Sequence, residues 1–140
     1  MDECMRFFFA KSRLQIYELR KKSDALDLLI LDPHAVKAEE ELTLAFHLAN
    51  KSFGNKRAIA KKFKYEFLLW LTGKTDIKSS MKKSEPKDAG ELLVVCFGKE
   101  TKKELLEELG SSELNERKFV LNKIADPLQL EEISLSRVKN

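Results

Sequence analysis

The chain has 140 residues, 35 % charged and 43 % hydrophobic, with a formal net charge of +3. That is the size and composition of one soluble globular domain over residues 1–140, large enough to hold a core without disulfides or a metal. The longest apolar run is six residues, Leu92 to Phe97, too short for a membrane span, and the acidic opening Met1-Asp2-Glu3 does not read as an export signal. A cytoplasmic location with no membrane partner is therefore expected.

In chain order, Cys4 to Ala10 (CMRFFFA) reads as a strand. A helix is expected from Ser12 to about Lys22, with Leu14 and Tyr17 turned inward and Ile16 beside them. Ala25 to Leu31 is a short apolar piece with Asp27 facing out, followed by Asp32-Pro33, a natural N-cap and first-turn pair. From Glu39 to Phe53, residues Leu42, Phe46, Ala49 and Phe53 form one helical stripe, with three glutamates at the positive end of the dipole and Gly54-Asn55 as the stop.

A second amphipathic helix is expected from about Ala58 to Thr72, with Ile59, Phe63, Phe67 and Trp70 on its core side and Gly73 as its cap. A third starts near Thr75 or Asp76, with Ile77 and Met81 inward. Glu85 to Gly90 is a loop, Leu92 to Phe97 a buried strand, and Lys99 to Leu109 a helix closed by Gly110. Arg117 to Ile124 is mixed, and Pro127 to Val138 is expected to be mostly helical, because Asp126-Pro127 repeats the cap signature. Helices outnumber strands, giving a mixed α/β domain with a small sheet.

Chemistry-bearing motifs are sparse. Cys4 and Cys96 each lie in an apolar run and read as buried reduced thiols, with no metal or redox spacing. The only histidines, His34 and His47, lack a ligand or catalytic neighbour and read as surface or interface residues. Gly73-Lys74-Thr75 is the tail of a phosphate-binding loop, but the first glycine of G-x-x-x-x-G-K-[ST] would fall on Leu68, and a helix precedes it instead of a strand. Without successive glycine-supported amides nothing wraps a phosphate. No catalytic residues, metal site, cofactor or small-molecule substrate are predicted.

The strongest pattern is charge. Residues 51–83 hold ten Lys or Arg against two acids, a balance of +8, while the rest of the chain stands at −5. Lys74, Lys78 and Lys82 recur at every fourth residue and would form a row along the third helix. Lys61, Lys62 and Tyr65 fall on the polar side of the preceding helix, and Lys56 and Arg57 on its approach. Such a block suits a polyanion, RNA above all, with Tyr65 able to stack on an unpaired base. A solvated lysine-rich surface is the plainer reading.

Two longer stretches carry a family resemblance. One is ILDPHAVKAEEELTLAFHLA (Ile30 to Ala49); the other is AIAKKFKYEFLLWLTGKTDIKSSMKK (Ala58 to Lys83). The second is similar to a pattern of I-A-K-S, then E-I-L, then a small residue followed by G-x-R-Q-I. Here these read Ile59-Ala60-Lys61-Lys62, Glu66-Phe67-Leu68 and Thr72-Gly73-Lys74-Thr75-Asp76-Ile77, with Thr75 and Asp76 in place of the arginine and glutamine. With LLVVCFG and a helical C-terminus in the same order, the chain resembles the kinase-binding small subunit of the KEOPS tRNA-modification complex (PRPK-binding protein family), archaeal type.

The resemblance implies a mixed α+β fold, a helical bundle packed on a small, mostly antiparallel sheet. It implies a non-catalytic subunit that binds the complex's small kinase/ATPase and tRNA, including its single-stranded 3′ end, in support of threonylcarbamoyladenosine synthesis. The expected RNA-binding residues are Lys56, Arg57, Lys61, Lys62, Lys64, Tyr65, Gly73, Lys74, Thr75, Asp76, Lys78 and Lys82. The alternative is a protein-only adaptor of a small kinase whose lysines do not meet RNA.

Overall fold

The computed structural model describes residues 5–114 and Ile133. The expectations for Cys4, for Arg117 to Ile124 and for nearly all of Pro127 to Val138 lie outside the described residues. The described residues divide into two compact units, one holding those up to His34 together with 85–114, the other Ala35–Ser84 with Ile133.

The first unit is built on a sheet. Its described elements are β1 (Arg6–Ser12), α1 (Ile16–Ala25), β2 (Leu28–Leu31), β3 (Leu92–Cys96), α5 (Lys102–Glu108) and β4 (Ser111–Glu113). Strand order is β2-β3-β1-β4, and every pairing is antiparallel. Phe8 sits opposite Val94 and Ala10 opposite Leu92, while Leu29 sits opposite Val95 on the far side of β3. Every residue of β3 is buried, as its unbroken apolar run requires of a strand paired on both edges. Phe8, Ala10, Leu28, Leu92, Val94 and Cys96 join Leu19, Leu105 and Leu109 in one core, against which Leu14 and Ile16 pack.

Several boundaries differ from the sequence expectations. α1 begins at Ile16 and directs Leu19 into the core, leaving Tyr17 57 % exposed. α5 starts three residues later than expected, because Thr101 and Glu104 form a reciprocal capping box. Ser111–Glu113 adds a short edge strand that its polar sequence concealed. Asp32 caps as expected, its Oδ1 accepting the His34 N–H at 2.9 Å ahead of the 3-10 turn Pro33–Ala35.

The second unit's described elements are α2 (Glu39–Gly54), α3 (Phe63–Thr72) and α4 (Ile77–Ser84). Phe63 packs edge-on against Phe46 and tilted against Phe53, with ring centroids 5.6 and 5.5 Å apart. Phe67, Leu68 and Leu69 are fully buried, so α3 is apolar nearly all round, as a central helix must be. Glu41 is the one first-turn glutamate of α2 that is buried; its Oε2 accepts the Lys37 N–H at 3.1 Å.

Candidate nucleic-acid interface

The basic block runs from the end of α2 through α4, and two helix stops shape it. At the end of α2 the Arg57 N–H donates to the Ser52 carbonyl at 2.8 Å and the Lys56 N–H to the Phe53 carbonyl at 3.2 Å. This paired closure needs a left-handed residue, normally glycine, and here Lys56 supplies it at φ 57°. Gly54, the glycine expected to stop the helix, is its last residue.

The same closure ends α3. Gly73 is left-handed at φ 72°, its N–H donating to Leu69 and Trp70, while the Lys74 N–H donates to the Leu69 carbonyl at 3.2 Å. Both amides at the start of Gly-Lys-Thr are thus turned back onto a helix end. They have no donor left for a nucleotide phosphate, which is the physical reason that the tripeptide is a helix stop here.

Between the two stops the chain departs from the expected helix. α3 begins at Phe63, five residues later than the periodicity suggested, and Ile59 is 50 % exposed instead of buried. The Glu66 carboxylate holds this connection: its Oε1 accepts the N–H groups of Ile59 and Ala60 at 3.0 and 3.1 Å, and its Oε2 accepts the Ser52 hydroxyl at 2.5 Å. Trp70 Nε1 donates to the same Ser52 oxygen at 3.3 Å. Lys56, Arg57, Lys61 and Lys62 are all exposed on this loop, and none forms an ion pair among the described residues.

Lys64 stands apart from the set expected to meet RNA. It is buried, with its ammonium 5.2 Å from the centre of the Tyr65 ring, and Tyr65 is itself only half exposed. An ammonium lying over that ring takes up one of its two electron-rich faces. The correction follows from α3's position: a helix buried on nearly every side has no room for a polar face at Lys64.

α4 begins after Asp76, whose Oδ1 accepts the Ser79 N–H at 2.8 Å. That backbone bond, with the Ser79 hydroxyl and then the nearby Lys74 and Lys78, holds the Asp76 carboxyl below its ordinary range. Thr75, Asp76, Lys74, Lys78 and Lys82 are exposed, but only Lys78 and Lys82 lie on α4. Lys74, expected in the same helical row, sits before the helix begins, because its N–H is turned back to close α3. Ile77 and Met81 are partly covered, whereas the fully enclosed positions of α4 are Ser80 and Ser84, which hydropathy alone would place outside. Lys83 reaches back to donate to the Thr72 carbonyl at 2.9 Å.

Among the described residues no group of His, Cys, Asp and Glu is arranged to hold a metal. No helix among them is long and apolar enough to cross a membrane. A family model described as kinase binding protein CGI-121 matches residues 11–137. No curated protein matches the chain.

Proposed function

The chain belongs to the kinase binding protein CGI-121 family, and on that premise we propose that it is a non-catalytic KEOPS subunit that binds the complex's small kinase/ATPase and tRNA. In this reading it supports threonylcarbamoyladenosine synthesis without carrying the chemistry itself, and it works in the cytoplasm. The family description supports the kinase partner. The observation that favours tRNA is the set of Lys74, just before α4, and Lys78 and Lys82 on it, all exposed and without ion pairs among the described residues.

Exposed lysines of this kind hold a nucleic-acid backbone through its phosphates, and the Lys56 to Lys62 loop adds to the same charge. With about five phosphates neutralised, log affinity should fall against log salt with a slope of roughly −3.5 to −4.5. The test is tRNA binding by wild type and by the Lys74→Glu/Lys78→Glu double variant, with a kinase pull-down on both. Weaker binding and a shallower slope with an intact pull-down support the proposal. Unchanged affinity and slope remove the lysine set. A pull-down that persists while wild type fails to bind tRNA at low salt leaves the protein-only adaptor.

A further inference from the structure

The loop between α2 and α3 has a feature that a plain cationic surface does not require. Ile59 and Tyr17 are the large hydrophobic residues most exposed among those described, and Ile59 stands among Lys56, Arg57, Lys61 and Lys62. Its exposure is imposed from beneath. Glu66 is 0 % exposed, and one of its oxygens takes the backbone N–H groups of both Ile59 and Ala60. With both amides drawn inward to the carboxylate, Ala60 is buried at 7 % exposure and Ile59 stays open.

We infer that Glu66 is a positioning residue, whose buried carboxylate holds the 55–62 loop so that Ile59 forms an apolar contact for an unpaired nucleobase among flanking cations. The inference takes its ligand from the tRNA reading above, but its geometry stands without it. Three observations converge. The carboxylate is deeply buried and satisfied by backbone amides, so it is spent on shape and not on surface charge. Ser52, which donates to it, is fixed in turn by Trp70 Nε1, so the clamp is anchored on both α2 and α3.

The third observation is the surface itself. An exposed apolar side chain flanked along the chain by four exposed cations offers a base apolar surface to pack on, though not an aromatic face, and offers the neighbouring phosphates a charge to meet. Tyr65, the aromatic that sequence alone would choose for this role, is partly buried and has one ring face engaged by Lys64.

The test uses the full chain as wild type, Glu66→Gln, Glu66→Ala and Ile59→Ser. The probes are tRNA with its complete single-stranded 3′ end and the same tRNA trimmed of it, and amide hydrogen exchange is read at Ile59 and Ala60. Exchange is expected to be slow in wild type and in Glu66→Gln, which keeps an oxygen for both amides, and fast in Glu66→Ala. Ile59→Ser should weaken intact tRNA by about tenfold, the scale of losing part of a buried aliphatic contact, and trimmed tRNA far less. Glu66→Ala should reproduce that selective loss, and adding Ile59→Ser to it should change little.

Fast exchange in wild type overturns the clamp. A folded Glu66→Ala that keeps the preference for the intact end overturns the positioning role. If Glu66→Ala does not fold, Ile59→Ser decides: loss of the preference supports the inference and an unchanged preference overturns it. A wild type that binds neither tRNA defeats the tRNA reading, and with it the nucleobase contact, while the exchange comparison still decides whether Glu66 shapes the loop.

Discussion

Thr72 Oγ1 and Ser80 Oγ lie 2.7 Å apart with both side chains buried, joining α3 to α4 through a pair of hydroxyls. Thr72 has a single hydroxyl proton, and the Leu68 carbonyl at 2.9 Å is positioned to take it, which makes Ser80 the donor across the gap. The two residues should therefore respond unequally to mutation. Thr72→Val strands a buried donor and should cost about 1–3 kcal/mol, whereas Ser80→Ala removes only one bond and should cost about 0.5–1.5 kcal/mol. Urea midpoints of the two variants check the ranking, and a reversed order would show that the proton points the other way.

Lys56 occupies a backbone conformation in which an L side chain is strained by about 1 kcal/mol. Lys56→Gly should raise stability by about that amount in chemical denaturation. If the lysine meets a phosphate, the same variant should bind tRNA less tightly, with a salt slope shallower by about 0.7–0.9. Stability gained with an unchanged slope would place Lys56 outside the interface.

Asp76 sets two requirements against each other: its carboxylate caps α4, yet it puts a negative charge between Lys74 and Lys78. Asparagine caps a helix as well as aspartate does, so Asp76→Asn should keep α4 intact and tighten tRNA binding by about two- to fivefold at low salt. The pH dependence has a definite sign. A carboxyl held below its ordinary value of about 3.9 stabilises the fold above that pH and loses the contribution as pH falls through the lowered value. Wild type should lose stability relative to Asp76→Asn below about pH 4, measured by thermal unfolding across pH 2–7. Parallel curves would show that the Ser79 bond does not hold in solution.

Cys96 lies in the core, and burial pushes its thiol above the ordinary range, outweighing the opposing influence of Arg6. The reactive form is the thiolate, so alkylation at neutral pH should be slow in the native protein and fast in denaturant. The clean measurement uses a Cys4→Ser background, and rapid native labelling would contradict the buried position.

The legible parts of this fold were those written in a local code. Gly73 announced the end of α3, Asp76 the start of α4, and the run from Leu92 a strand buried on both faces. The illegible parts depend on residues far apart or on burial that hydropathy misjudges. Ile59 fits the spacing of the α3 stripe, yet Glu66, seven positions on, takes its amide and keeps it out of the helix. Ser80 looks like a surface residue because its partner, Thr72, lies on another helix. Lys56 gives no sign of its left-handed backbone, since glycine normally holds that position and the glycine here, Gly54, stands two residues earlier inside the helix. For the candidate site, the exposure of Lys78 and Lys82 on α4 could be read from their spacing, whereas Lys74, given the same helix by that spacing, is held back by the closure of α3, and the burial of Lys64 follows only from how α3 is enclosed.

The strand order also has a temporal consequence. β1 pairs with β3, bringing Arg6 opposite Cys96, and the whole segment Ala35–Ser84 lies in the chain between β2 and β3. During synthesis α2, α3 and α4 emerge before the strand that completes the sheet, and their contacts with one another are short in sequence. Local contacts form fast and distant strand pairing slowly, so pulse-labelled exchange should protect amides of α3 and α4 ahead of those in β1. The lysine-bearing helices would then be assembled on a nascent chain whose central strand is still waiting for its partner.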